Sequence, residues 1–113
     1  PKHFEPIVEG MWRGVNVGGT SMLARLEGLD VCGKTGTAEN PRGRDHSTFL
    51  SFAPKDNPKI AISVYVENGG FGASAALPIA SLLEEYYLTD TIRRPALLDY
   101  VRNMTINYPA YDR

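Results

Sequence analysis

Gly28, Gly33, Lys34 and Thr35 stand in the spacing G-x-x-x-x-G-K-[ST], the pattern of a loop whose backbone N–H groups cradle phosphates. Read as an extended segment, Lys34-Thr35-Gly36-Thr37 offers different chemistry. Side chains alternate along a strand, so Lys34 and Gly36 share one side, and Thr35 and Thr37 the other. Such an edge accepts an extended peptide by strand addition. Its hydroxyls suit a carboxylate, its ammonium shifts the proton balance of a nearby serine, and its N–H groups suit a developing oxyanion.

The flanks separate the two readings. A phosphate loop needs a glycine-rich turn that opens a helix. Here the four intervening residues, Leu29, Asp30, Val31 and Cys32, are mostly apolar and read as extended. Behind Thr35 come Gly36, Asn40-Pro41 and Gly43, through which a helix does not run. The strand reading is therefore preferred.

The elements that position this segment are read from periodicity. Phe4, Val8, Met11, Trp12 and Val15 recur at helical spacing and predict a helix over residues 4–17, ended by Gly18-Gly19-Thr20. Residues 22–38 predict an extended arm running into the lysine strand. Residues 39–45 form a charged loop. Strands are predicted at 46–54 and 59–68, joined as an antiparallel hairpin by "KDNP". In the second, Ile60, Ile62, Val64 and Val66 line one face and Ala61, Ser63 and Tyr65 the other, so both faces are expected to be covered. A helix over 74–88 has Ser74 as its cap, Pro78 in its first turn, and Ile79, Leu82, Leu83 and Tyr86 on its buried face. Residues 89–113 are a tail with a short helix from Pro95. The class is α+β: a three-stranded antiparallel sheet flanked by N-terminal and C-terminal helices.

Bulk properties bound the rest. The chain has 113 residues, enough for one small domain, and a formal net charge of -1, which gives no field to attract nucleic acid. Cys32 is the sole cysteine; a small buried hydrophobe is its expected role. His46, beside Asp45, reads as a structural hydrogen-bonding residue, and no His/Cys cluster suggests a metal. Phe4, Met11 and Trp12 are expected in the core; Arg42, Arg44 and Asp45 form a charged loop, ordinarily a solvated run, that is near enough to the lysine motif to border a cleft. Tyr100, Tyr108 and Tyr111 are spread along the tail.

The run "GTSMLARLEGLDVCGKTGTAEN", followed by "DHSTFLSFAPKDNPKIAISVYVENGGFG", resembles the C-terminal part of the transpeptidase domain of class B penicillin-binding proteins. The likeness is nearest to the elongation type similar to penicillin-binding protein 2. It spans roughly residues 10–88 and rests on the order of G-K-T-G-T-A, an Asp-His pair, F-A-P with N-P beyond it, and E-N-G-G-x-G. The resemblance implies the serine β-lactamase/penicillin-binding fold and an acyl-serine mechanism that cross-links peptidoglycan stem peptides and is blocked by β-lactams. It implies Lys34 beside the catalytic hydroxyls, Thr35 and Thr37 on the terminal carboxylate, the Thr37 N–H as an oxyanion donor, and Gly36 keeping the edge open. No cofactor or metal is implied. The parent is expected to be membrane-anchored at the extracytoplasmic, periplasmic face, with a polymerising glycosyltransferase as partner.

One departure matters. The family's nucleophile lies in S-x-x-K and a second hydroxyl in S-x-N. Ser21, Ser47, Ser51, Ser63, Ser74 and Ser81 fit neither. Both motifs precede K-T-G-T in the family, so the chain is expected to be a piece that is inactive alone. The family's fourth strand is then missing, and strand 59–67 is expected to expose an edge that pairs with another copy. A serine β-lactamase or β-lactam-sensor domain, which shares the K-T-G strand, is the first alternative, and a non-catalytic strand-and-helix interaction module is the second.

Overall fold

The computed structural model describes residues 1–106. Its order is α1 (Phe4–Asn16), a 3-10 turn (Met22–Ala24), β1 (Cys32–Ala38), β2 (His46–Ala53), β3 (Ile60–Val66), α2 (Ala76–Thr89) and α3 (Pro95–Asn103). The three strands form one antiparallel sheet in the order β1-β2-β3, as expected. Tyr108 and Tyr111 lie outside the described residues.

The core forms where α1 and α2 meet the sheet. Val15, Val31, Phe49, Ala53, Leu77 and Ala80 make it. β2 is central, and its alternation is plain: Ser47, Phe49, Ser51 and Ala53 are buried, while Leu50 is 51% exposed. Ala53 ends β2 because Pro54 has no N–H to continue the ladder, and Lys59 N closes the hairpin on Ala53 O at 2.8 Å. β3 stops at Val66, two residues short of the expected 68. Asn68 adopts a positive φ of 58°, and Gly69 N turns back to Val66 O. Ala61, Ser63 and Tyr65 are exposed, so one face of β3 is open and the expectation of two covered faces is corrected.

The arm over 22–31 is not a strand. Its amides bond locally: Ala24 N to Ser21 O, Arg25 N to Met22 O and Leu29 N to Leu26 O, with Gly28 at φ 79°. Ala24 and Leu26 dip into the core while Met22 and Leu23 stay exposed. The apolar residues do alternate, but among the described residues no neighbouring strand takes up the arm's hydrogen bonds.

Both helices differ from expectation in their faces. On α1, Phe4 is 69% exposed; only Val15 is fully buried, so the packed stripe covers the C-terminal half alone. On α2, Leu83 and Tyr86 are exposed, and the buried side comprises Leu77, Ala80, Ser81, Leu82, Glu84 and Glu85. The helix presents small residues to the sheet and lies close to it, which rotates the expected face by about one position. Ser74 does not cap α2; Ala75 precedes the helix without a side-chain bond. The free Ala76 N–H donates instead to Ser47 Oγ at 2.9 Å, a cap lent by β2.

Candidate functional site

β1 runs extended from Cys32 through Ala38, and a turn rather than a helix follows it. No helix opens at Thr35, so the phosphate-loop geometry is absent. β1 pairs with β2 on one side, and among the described residues no strand lies on its other side. The lysine motif therefore occupies a sheet margin.

The register sorts the motif into two sides. Lys34 pairs opposite the exposed Leu50, whereas Thr35 and Thr37 stand opposite the buried Phe49 and Ser47. The alternation read from sequence holds. Lys34 and Thr37 are exposed, and Thr35 and Gly36 are half-buried. The Lys34 ammonium donates to Thr35 O at 2.6 Å; among the described residues no carboxylate pairs with it. Thr35 Oγ1 lies 3.2 Å from Thr20 Oγ1.

Gly36 is closed in from two directions. A Cβ there would collide with Thr48 Oγ1. From below, Gly72 lies against the strand: a Cβ on Gly72 would meet Thr48 O at 2.6 Å and Gly36 O at 2.7 Å. The glycines of E-N-G-G-x-G thus let the segment before α2 press directly on the β1–β2 backbone. Neighbouring side chains fasten the end of β1. Asn40 N donates to Asp45 Oδ1, and Asn40 Nδ2 donates to Asn68 Oδ1. Gly70 N donates to Asp45 O, and Asn68 N donates to His46 Nδ1 at 3.0 Å. His46 is therefore structural, as expected, and Asn40 and Asp45 secure the charged loop.

The remaining candidates lie apart from this chemistry. Cys32 is fully buried, and burial pushes its thiol up to about 11, so it is inert at neutral pH. Trp12 donates from Nε1 to Asp30 Oδ1 at 3.1 Å, and the Lys55 ammonium sits 5.3 Å from its ring centroid. Thr20, Ser47 and Gly72 were not singled out from sequence as site or support residues. Their roles depend on partners distant in the chain, and only "GGT" and E-N-G-G-x-G hinted at them.

Residues 1–83 match the family model of the penicillin-binding protein transpeptidase domain. The peptidoglycan D,D-transpeptidase MrdA of Haemophilus influenzae is 35% identical, over 79% of this chain and 16% of that protein. The Acinetobacter baumannii MrdA is 36% identical, over 68% of this chain and 14% of that protein. Among solved structures, Pseudomonas aeruginosa PBP2 in complex with WCK 5153 superposes with a TM-score of 0.66 at 36% identity, over 74% of this chain and 19% of that one. An imipenem acyl-enzyme complex of penicillin-binding protein A from M. tuberculosis gives 0.58 at 32% identity, over 73% of this chain and 18% of that one. The chain belongs to the penicillin-binding protein transpeptidase family, has that family's serine acyltransferase fold, and spans about 16% of the length of the first of these relatives.

Proposed function

We propose that this member of the family forms the C-terminal wall of the active site of a larger, elongation-type peptidoglycan D,D-transpeptidase, with Lys34, Thr35, Gly36 and Thr37 facing substrate. The observation that carries the reading is β1: K-T-G-T lies extended on a margin with no further strand among the described residues, and its lysine is exposed.

In the proposed reaction a serine outside these 113 residues attacks the carbonyl carbon of the penultimate D-alanine. Its proton leaves through neighbouring basic groups, and the tetrahedral oxyanion collapses with cleavage of the C–N bond. The terminal D-alanine departs as the free amine after taking up a proton. An amine of a second stem peptide then attacks the ester, forms the amide cross-link and returns the serine hydroxyl. Lys34 supplies positive charge beside that hydroxyl, which favours its deprotonation. Thr35 and Thr37 donate to the terminal carboxylate, and the Thr37 N–H is an oxyanion donor, a contribution of about 3 kcal/mol in comparable sites. Gly36 adds no side chain to the strand, and the space its Cβ would take is filled by Thr48 Oγ1, so the peptide is proposed to run along the outer edge of β1. A β-lactam, with its own carboxylate and reactive carbonyl, occupies the same wall.

The same reading places the whole protein at the extracytoplasmic face of the membrane, anchored there and working beside a glycan-polymerising glycosyltransferase. Among the described residues no helix is long and apolar enough to cross a membrane. Among the described residues β3 pairs with β2 alone, and its other edge is where a strand of the larger domain, or a second copy of this chain, would add.

The test compares two samples. In the longer protein, Lys34→Met slows acylation by a labelled penicillin by about 100-fold or more, the low end of acid–base contributions. The 113-residue chain alone forms no adduct by mass spectrometry, and light scattering gives a mass above 12.4 kDa. A stoichiometric adduct on the chain alone, or acylation indifferent to Lys34→Met, sinks the reading; a strictly monomeric particle removes only the self-pairing.

A further inference from the structure

The turn after α1 does more than stop a helix. Gly18 has φ 73°, a conformation that suits glycine. Gly19 lies so close to the last turn of α1 that a Cβ on it would meet the Gly14 carbonyl carbon at 2.8 Å. Ser21, itself 1% exposed, then donates its N–H to Gly14 O at 3.1 Å. Thr20 is thereby held between two residues fixed against the helix, and its hydroxyl is delivered to Thr35 Oγ1 at 3.2 Å. The contact joins residues 15 apart in sequence and serves no helix or sheet.

We infer that Thr20 is a positioning residue for the recognition of the substrate's terminal carboxylate, acting through Thr35. The inference rests on the reading of Thr35 as a carboxylate-binding hydroxyl. The chemistry follows from counting protons. Each hydroxyl has one proton and two lone pairs, and the geometry allows either oxygen to be the donor in the pair. A carboxylate only accepts, so its arrival requires Thr35 to point its proton outward. Thr20 must then donate to Thr35. The pair becomes a short relay from Thr20 through Thr35 to the anion, and each bond polarises the next. Without Thr20 the Thr35 hydroxyl is free to rotate, and its donor loses both direction and strength.

The experiment uses the full-length transpeptidase carrying this segment, with Thr20→Val, Thr20→Ser, Thr35→Val and the double variant. Acylation rate constants are measured with labelled benzylpenicillin and with its methyl ester, which lacks the anionic carboxylate. Thr20→Val is expected to slow the acid by about tenfold, the upper end for a lost hydrogen bond between neutral groups, and the ester hardly at all. Thr20→Ser restores the rate. In the Thr35→Val background, Thr20→Val costs nothing further. Equal losses on acid and ester, or losses that multiply in the double variant, overturn the inference and assign Thr20 a purely structural role. If Thr35→Val is selective for the acid but Thr20→Val is not, this inference alone falls. If Thr35→Val shows no selectivity, the reading of Thr35 falls and takes the relay with it.

Discussion

The inward side of β2 and the outer margin of β1 belong to the same sheet yet treat their polar groups in opposite ways. On β2, Ser47 is fully buried. Its oxygen accepts the Ala76 N–H, and its proton is directed toward the Phe71 and Gly72 carbonyls at 2.8 and 3.2 Å. Ser51 donates to the buried Glu84 at 3.1 Å. On β1, the Thr20–Thr35 pair holds two hydroxyl protons and makes one bond. Among the described residues Lys34 bonds the carbonyl beside it and nothing else. Groups that the fold has used fully serve stability, because freeing them leaves a buried orphan. Groups that the fold leaves with spare donors are free to bind something else. The comparison thus assigns stability to the inward side of β2 and leaves spare donors on the margin of β1, where the proposed function puts its chemistry.

The largest way to break it is Phe49→Ala. Phe49 is 1% exposed and sits in the core with Val15, Leu77 and Ala80. Removing a buried ring costs about 3–5 kcal/mol, a large part of what a small domain has. The urea midpoint of the 113-residue chain should fall accordingly, or the chain should fail to fold. A loss under about 1 kcal/mol would mean that this face collapses freely and is not the packed side.

Glu84 gives the next largest effect, and it depends on pH. The residue is 1% exposed, and among the described residues its Oε2 has no partner. Burial pushes its pKa from 4.5 up to about 7, partly offset by the Ser51 bond and the Arg94 charge. The folded state therefore keeps a proton that the unfolded chain has already lost. Stability from this group is complete below pH 4.5 and is lost as pH rises through about 7, a difference of about 3 kcal/mol. Glu9 is shifted the opposite way, chiefly by its bond to Lys55, so its contribution fades only at lower pH and leaves this window clear. Urea midpoints at pH 5 and pH 8 should differ for the native chain, and Glu84→Gln should flatten that difference. An unchanged slope in the variant would place the titration elsewhere.

The same comparison explains what could be read in advance. The K-T-G-T strand was legible because alternation and the following Asn-Pro and Gly are local signals. The hairpin was legible for the same reason. The α2 face was not: in Leu82-Leu83-Glu84-Glu85-Tyr86-Tyr87 hydropathy favours Leu83 and Tyr86, yet Glu84 and Glu85 are buried. Glu85 is held by Arg94 Nε at 3.3 Å, from beyond the helix, and Glu84 by β2. The arm at 22–31 misled because apolar alternation says nothing about whether a neighbouring strand exists. Thr20 and Ser47 acquire their roles from partners 15 and 29 residues away, distances over which a single sequence carries no pairing signal.

The smallest expected effect is also the sharpest. Lys34→Met keeps the aliphatic stem and removes the charge. Lys34 is exposed, and the bond it loses, to the adjacent Thr35 carbonyl, is one that water can replace. Its stability change should stay within about 0.5 kcal/mol, as for other surface substitutions, with an unaltered urea midpoint and slope. The value of so small a number lies beside the acylation loss expected from the same variant. An unaltered midpoint together with that loss would support the proposed role of Lys34, since the fold would then not need the ammonium. A destabilisation above about 1 kcal/mol would move Lys34 into the packed region and remove the physical ground for giving it substrate chemistry.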